Sequence, residues 1–261
     1  MAQLMLTGNS IFAKDSADEP THSDAQVELG RFLFFDKILS GNQNISCASC
    51  HHPLVGTGDG LSLSIGEGGR GLGMTRDTGS GDDAVVERVP RNSPALFNLG
   101  KPEFERLFHD GRVAVNPEHP SGFDSAAGML LPNGLENVLA AQAMFPVTSP
   151  GEMAGQIHEG VAENDIAAAA NAVPADIVSV WALLAERLKA IQEYIDLFQS
   201  AYPNNNIGND GTGITFVLAA NAIAAYEAHS WRADNSPFDR YLHGDDDAMS
   251  DSAKKVPHFL S

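Results

Sequence analysis

The pentapeptide Cys47-Ala48-Ser49-Cys50-His51 decides how this chain is interpreted. A Cys-x-x-Cys-His run is the attachment signature of c-type haem, whose vinyl groups react with the two thiols. The histidine then offers an imidazole nitrogen to the iron. The chain has 261 residues and only these two cysteines, so the sequence allows one covalent haem.

Two other chemistries share a bare Cys-x-x-Cys pair. A thioredoxin-like redox pair is expected near a βαβ pattern, and the sequence shows none. A zinc site needs further ligands from elsewhere in the chain. His52, His109 and His119 are the candidates for such ligands, so the zinc interpretation stays open on the pentapeptide alone.

The composition limits the partners of the protein. Hydrophobic residues make up 43% of the chain, and 16 basic against 34 acidic side chains give a formal charge of −18. Such a charge disfavours nucleic acid, because phosphates are repelled, and it disfavours an anionic membrane surface. It suits a small cationic electron carrier or simply maintains solubility. No run of about 18 apolar residues occurs, so no membrane span is predicted.

The apolar periodicity predicts helices, long glycine-rich loops and few strands. One helix is expected from an N-cap at Asp24 to near Asp36, and one continuous amphipathic helix over 176–202. A second long helix over 214–231 is apolar on most faces and therefore buried. The glycine-rich stretch over 53–94 is predicted to be a loop that can lie close against a flat ligand.

Several sequence blocks, read together, resemble the N-terminal, peroxidatic half of bacterial di-haem cytochrome c peroxidases and their MauG-like relatives. They occur in family order and cover roughly 26–255. The blocks are LGRFLFFD at 29–36, SCASCH at 46–51, PRNSPALFN at 90–98, FHDGR at 108–112, QA at 142–143, EM at 152–153, AAYEA at 224–228, SPFD at 236–239, YL at 241–242 and GDD at 244–246.

The resemblance implies an all-α, cytochrome-c-like helical haem domain with one covalent haem c. It implies reduction of hydrogen peroxide to water in the periplasm, with electrons from a small cytochrome c or cupredoxin. It also implies a calcium ion between two haem domains, and a homodimer is a further expectation. One alternative is a mono-haem electron-transfer protein with Met74, Met129 or Met144 as second iron ligand. Another is MauG-like oxidation of a different substrate.

The resemblance also assigns roles to individual residues. Cys47 and Cys50 match the thioether cysteines, and His51 matches the proximal ligand of the haem iron. Asn92 matches an asparagine that contributes to the calcium site, although a loop asparagine that completes a turn is an equal alternative. Arg91 and Arg112 lie in blocks that line the haem region, where each is expected to pair with a propionate or to form a structural salt bridge.

Three positions depart from the family pattern. Glu67 replaces a distal histidine, and His109 replaces a tryptophan between the haems. Glu67, His109 and Gln142 are therefore the candidate catalytic residues, with a solvated loop acid and a space-filling histidine as the alternatives for the first two. Ala141 occupies the position assigned to the distal glutamate, so peroxidase activity is expected to be impaired.

The expected domains are an N-terminal tail over 1–23, the peroxidase-type haem domain over 24–248, and a truncated start of a second haem domain over 249–261. Residues 1–13 lack a basic region and a long apolar stretch, so no intact signal peptide is evident. No second Cys-x-x-Cys-His follows, and the missing second haem domain is expected to limit two-electron turnover.

Overall fold

A computed structural model describes residues 22–81, 84–158 and 164–255. The chain divides into two units, one ending at Trp231 and one beginning at Arg232. The first unit contains α1 Asp24–Phe35, α2 Cys47–Cys50, α3 Val138–Ala143, α4 Asp165–Ala170, α5 Ile177–Lys189, α6 Gln192–Ala201 and α7 Phe216–Ser230. Of the expected N-terminal tail, residues 1–21 lie outside the described residues.

A small antiparallel sheet corrects the all-α expectation. Its strands are β1 Arg106–Leu107, β2 Val113–Val115 and β3 Phe123–Asp124, paired in that order. Leu107 pairs with Val113, and both side chains are buried in the main hydrophobic cluster. Strands of two or three residues are too short to produce a clear alternating pattern, so they could not be predicted from the sequence.

Helices α1 and α7 pack closely and form the base on which the pentapeptide rests. A Cβ atom on Gly30 would lie 1.8 Å from the Ala222 carbonyl oxygen, so only glycine allows this approach. The Phe34 ring lies where the two helices cross. Its centroid is 5.4 Å from the Tyr226 ring centroid and 5.1 Å from the Trp231 ring centroid. Helix α1 begins one residue earlier than expected, because the Ser23 side chain rather than Asp24 accepts from the Gln26 amide.

The helix expected over 176–202 is two helices. Helix α5 ends at Lys189, and Ile191 has an extended backbone before α6 begins. Leu188, Ile191 and Ile195 continue the three- and four-residue apolar spacing across the break. Hydrophobic periodicity therefore does not detect the interruption.

The second unit is short and contains two helices in its described part. Helix α8 Pro237–Leu242 begins with a capping box between Ser236 and Asp239. Helix α9 spans Asp251–Lys254, and the Lys254 ammonium lies 5.6 Å from the Tyr241 ring centroid. Residues 256–261 of the expected second-domain start lie outside the described residues, and the domain boundaries stay predictions. Within the described chain, no helix combines the length and hydropathy needed to cross a bilayer.

Candidate haem-binding site

Helix α2 presents the two cysteines within a single turn. Ser46 caps the turn, and its backbone amide donates to the Ser49 hydroxyl at 3.0 Å. Cys47 and Cys50 are free thiols packed against the main hydrophobic cluster. Burial, as the main cause, raises the pKa of each thiol to about 12. The low-pKa thiolate that a reactive redox pair needs is therefore not favoured at either cysteine.

His51 is held in the tautomer that an iron ligand needs. Its Nδ1 lies 3.0 Å from the Thr57 carbonyl oxygen, so Nδ1 carries the hydrogen and Nε2 is the nitrogen that can offer a lone pair to iron. The Ser93 hydroxyl donates to the Cys50 carbonyl at 2.9 Å and also lies 3.1 Å from Nδ1 and 3.3 Å from Nε2. Burial lowers the pKa of His51, which favours the neutral imidazole.

Thr57 has a left-handed backbone conformation, and its carbonyl oxygen contacts the His51 ring. Its φ of 63° is in the left-handed region, which is costly for a β-branched residue. The Thr57 hydroxyl accepts from the Leu96 amide at 2.8 Å, and the residue is buried. These contacts hold the strained conformation and so fix the imidazole. Together with the paired thiols, this arrangement fits covalent haem c with His51 as the iron ligand.

The glycine-rich loop lies against the cysteine turn. The Ile65 carbonyl oxygen is 3.9 Å from the Cys50 sulfur. The buried Arg76 guanidinium donates to the carbonyls of Ile65 and Gly66, each at 2.7 Å, and to Gly71 at 3.0 Å. A Cβ atom on Gly66 would lie 1.9 Å from the Gly151 carbonyl oxygen, so the absence of a side chain permits this packing.

A cavity of about 220 Å³ is lined by residues that lie between positions 108 and 152. Its lining consists of four apolar and four polar side chains, namely Phe108, Val113, Ala126, Phe145, Arg112, Thr148, Ser149 and Glu152. Burial raises the pKa of Glu152 to about 7, and the positive charge of Arg112 opposes that rise. The charge of Glu152 is also a minor cause of the raised pKa of Cys50, after burial and the charges of Arg76 and Asp59.

The predicted catalytic residues are not brought together. Glu67 is buried, accepts from the Asn44 side chain at 2.8 Å, and lines a different cavity of about 330 Å³. The His109 side chain is 43% exposed and lies 4.0 Å from the Asp110 carboxylate. Gln142 is half-buried near the end of α3, and its side chain has no hydrogen-bond partner among the described residues. Their catalytic roles stay predictions.

The two arginines expected at the propionates differ in environment. Arg112 lies 4.2 Å over the Phe108 ring and 3.4 Å from an Asp110 carboxylate oxygen, so it contributes to the cavity wall. Arg91 is exposed. Asn92 donates its side-chain amide to the Leu61 carbonyl. The described residues contain no group of three or more His, Cys, Asp or Glu side chains that could hold a metal ion, and the calcium expectation remains a prediction.

The methionines expected as alternative second iron ligands lie in different environments. Met74 and Met129 are 77% and 74% exposed, whereas Met144 is completely buried in the main hydrophobic cluster. Ala141 is also completely buried in that cluster.

Glu152 was not among the predicted site residues, although the block at 152–153 was one of the matching blocks. Its position depends on the turns at Pro146–Thr148 and Pro150–Ala154, which return the chain toward the cavity after α3. Sequence spacing does not reveal that return.

Comparison with known proteins agrees with this geometry. A family profile described as di-haem cytochrome c peroxidase matches residues 24–247. The chain is 30% identical over 233 residues to cytochrome c551 peroxidase of Pseudomonas aeruginosa, covering 89% of this chain and 46% of that protein. It is 28% identical over 231 residues to methylamine utilization protein MauG of Methylorubrum extorquens, covering 88% and 44%.

A solved structure is also similar. A MauG-like protein associated with microbial copper homeostasis superimposes with a TM-score of 0.53 at 25% identity, covering 97% of this chain and 54% of that one. The chain thus spans about half the length of the relatives that it matches.

Proposed function

Because this chain belongs to the di-haem cytochrome c peroxidase family, we propose that it is a haem c oxidoreductase that reduces hydrogen peroxide to water. The electrons come from a small cytochrome c or cupredoxin, and the formal charge of −18 favours a basic donor surface. The site of action is the periplasm, where covalent haem attachment is expected. A bound haem c supplies the iron that binds peroxide and passes electrons to it.

The cavity that contains Glu152 is the observation that carries this proposal. Cleavage of peroxide requires that one oxygen lose a proton and the other gain one. A carboxyl group with a pKa of about 7 is well matched to both transfers at neutral pH. We assign this transfer to Glu152, and two further protons from solvent complete the formation of two waters.

Other residues orient the reactants. The Arg112 guanidinium in the cavity wall stabilises the ionised form of Glu152 and any negative charge that develops on peroxide. Gln142 offers an amide for a hydrogen bond to peroxide but transfers no proton. His51, held by the Thr57 carbonyl, supplies the imidazole that binds iron. With Glu152 in this role, the alanine at position 141 no longer implies the loss of the acid–base group.

An optical experiment on the haem-loaded protein tests the proposal. Hydrogen peroxide is added to the resting protein, and a reduced small cytochrome c is then supplied as donor. The proposal predicts a shift of the haem absorption bands and oxidation of two donor equivalents for each peroxide. A spectrum that does not respond to peroxide contradicts the proposal and favours a mono-haem electron carrier.

MauG-like oxidation of another molecule is the second candidate. The similarity to methylamine utilization protein MauG over 88% of this chain favours it. The two candidates share the peroxide-binding step and differ in the source of electrons. A band shift on adding peroxide, without oxidation of the donor, followed by oxidation of an added protein substrate would support this second candidate.

A further inference from the structure

The second cavity, of about 330 Å³, is separate from the cavity proposed for peroxide. Residues from four segments line it, namely 42–44, 67–70, 84–85 and 156–158. Among the described residues, none lines both this cavity and the one that contains Glu152. Its volume is in the range of small-molecule sites in proteins. The peroxide reaction therefore does not account for this cavity.

A buried carboxylate in the cavity wall has one unused oxygen. Glu67 is 5% exposed, and its Oε1 accepts from the Asn44 side-chain amide at 2.8 Å. No described residue donates a hydrogen bond to its Oε2. A Cβ atom on Gly155 would lie 3.1 Å from this oxygen, so the glycine keeps a side chain away from it. Because buried polar groups are nearly always hydrogen-bonded, Oε2 is available to a donor group of a ligand.

The buried Arg76 guanidinium does not form an ion pair with Glu67. It lies behind Gly69, where a Cβ atom would be 2.8 Å from Nη2. Its Nε, Nη1 and Nη2 each donate to a backbone carbonyl of the glycine-rich loop, at 2.7, 3.0 and 2.7 Å. The Glu67 carboxylate thus keeps a negative charge for a cationic group in the cavity.

Arg70 supplies a positive charge at the edge of the same cavity. The residue is exposed, and its guanidinium has no ion-pair partner among the described residues. A Cβ atom on Gly79 would lie 3.7 Å from Arg70 Nε, 3.8 Å from the Gly68 carbonyl oxygen and 4.0 Å from Ala84 Cα. The Arg70 side chain therefore lies beside two residues that line the cavity, across from the buried carboxylate.

Hydrogen bonds hold the opposite wall of the cavity in place. Gln156 Oε1 accepts from the Val86 and Glu87 amides at 3.1 and 3.2 Å, and its Nε2 donates to the Glu87 carbonyl at 2.6 Å. The Val85 amide donates to the Thr78 carbonyl at 2.8 Å. A cavity that is already ordered costs little conformational entropy when a ligand binds.

We propose that this cavity binds a small zwitterion of the α-amino acid class. The ammonium group of the ligand donates to Glu67 Oε2, and its carboxylate accepts from the Arg70 guanidinium, whose planar fork matches a carboxylate. Asn42 Oδ1 accepts from the Asn164 side chain at 2.8 Å, which leaves the Asn42 amide hydrogens for a polar side chain of the ligand. This site goes beyond the proposed function and depends on neither haem attachment nor peroxide turnover.

Isothermal titration calorimetry of the haem-loaded protein with L-glutamine tests the inference. The wild-type protein is expected to bind glutamine. Glu67→Gln and Arg70→Gln should each weaken binding roughly 10- to 100-fold, because each removes a charged hydrogen-bonding group. Glu193→Gln on α6 and Arg106→Gln on β1 are matched controls, since both residues are exposed and outside the cavity, and these variants should bind like the wild type.

Two analogues of glutamine keep the inference testable on the wild-type protein if a cavity variant does not fold. The deaminated acid lacks the ammonium group and the decarboxylated amine lacks the carboxylate, so each should bind at least about 10-fold more weakly than glutamine. The inference is overturned if glutamine does not bind at about 10 mM, or if either analogue binds as tightly as glutamine. Wild-type affinity in either cavity variant would overturn it as well.

Discussion

The pH dependence of the reaction with peroxide is the prediction that the structure specifies most closely. If Glu152 accepts the first proton from peroxide, its ionised form is the reactive one. With a pKa of about 7, roughly one-tenth of the protein has an ionised Glu152 at pH 6 and roughly nine-tenths at pH 8. The second-order rate constant should therefore rise about tenfold between these pH values.

Glu152→Gln removes the proton acceptor but keeps the size of the side chain. The rate constant at pH 8 should fall by about 10²–10⁴, and the dependence on pH should disappear. Stopped-flow absorbance after mixing haem-loaded protein with excess peroxide measures both effects. Glu67→Gln is the matched control, because Glu67 is also a buried carboxylate but lines the other cavity. The account is refuted if Glu152→Gln reacts at the wild-type rate, or if the large loss occurs in Glu67→Gln instead.

Two further predictions concern stability and are measured by denaturant unfolding of the haem-loaded protein. Gly30→Ala places a Cβ atom 1.8 Å from the Ala222 carbonyl oxygen and should cost about 3 kcal/mol or more, whereas Gly151→Ala, whose Cβ meets nothing closer than 3.7 Å, should cost much less. Equal effects of the two substitutions would contradict the close packing of α1 on α7. Arg76→Met removes three hydrogen bonds to loop carbonyls and should lower the free energy of unfolding by roughly 2–4 kcal/mol. An unchanged value would show that Arg76 does not hold the glycine-rich loop in place.

Local sequence signals predicted the parts of the fold that depend on short-range patterns. The apolar spacing over 214–231 predicted the buried helix α7 to within two residues at its start and one at its end. The sequence predicted a loop that presents Cys47 to His51, whereas Cys47–Cys50 form the single helical turn α2. The break between α5 and α6 was not predictable, because the apolar spacing continues through Ile191, which has an extended backbone.

The cavity depends on contacts between distant parts of the chain. Glu152 reaches the cavity because the turn at Pro150–Ala154 packs against the glycine-rich loop, where the Glu67 amide donates to the Glu152 carbonyl at 2.7 Å. This contact joins residues 85 positions apart, and no local pattern encodes it. The Glu67 side chain lines the other cavity, of about 330 Å³. The geometry therefore does not favour the predicted role of Glu67 at the iron.

Covalent attachment of haem at Cys47 and Cys50 is the claim on which the whole account depends. The most direct test is to express the protein in a host that matures c-type cytochromes, denature it, extract it with acidified acetone and record its absorbance and intact mass. The account predicts that the haem Soret band and one haem mass remain with the polypeptide, and that both are lost in the Cys47→Ser, Cys50→Ser double variant. Complete extraction of haem from the wild-type protein, or retention of haem by the double variant, would contradict the account.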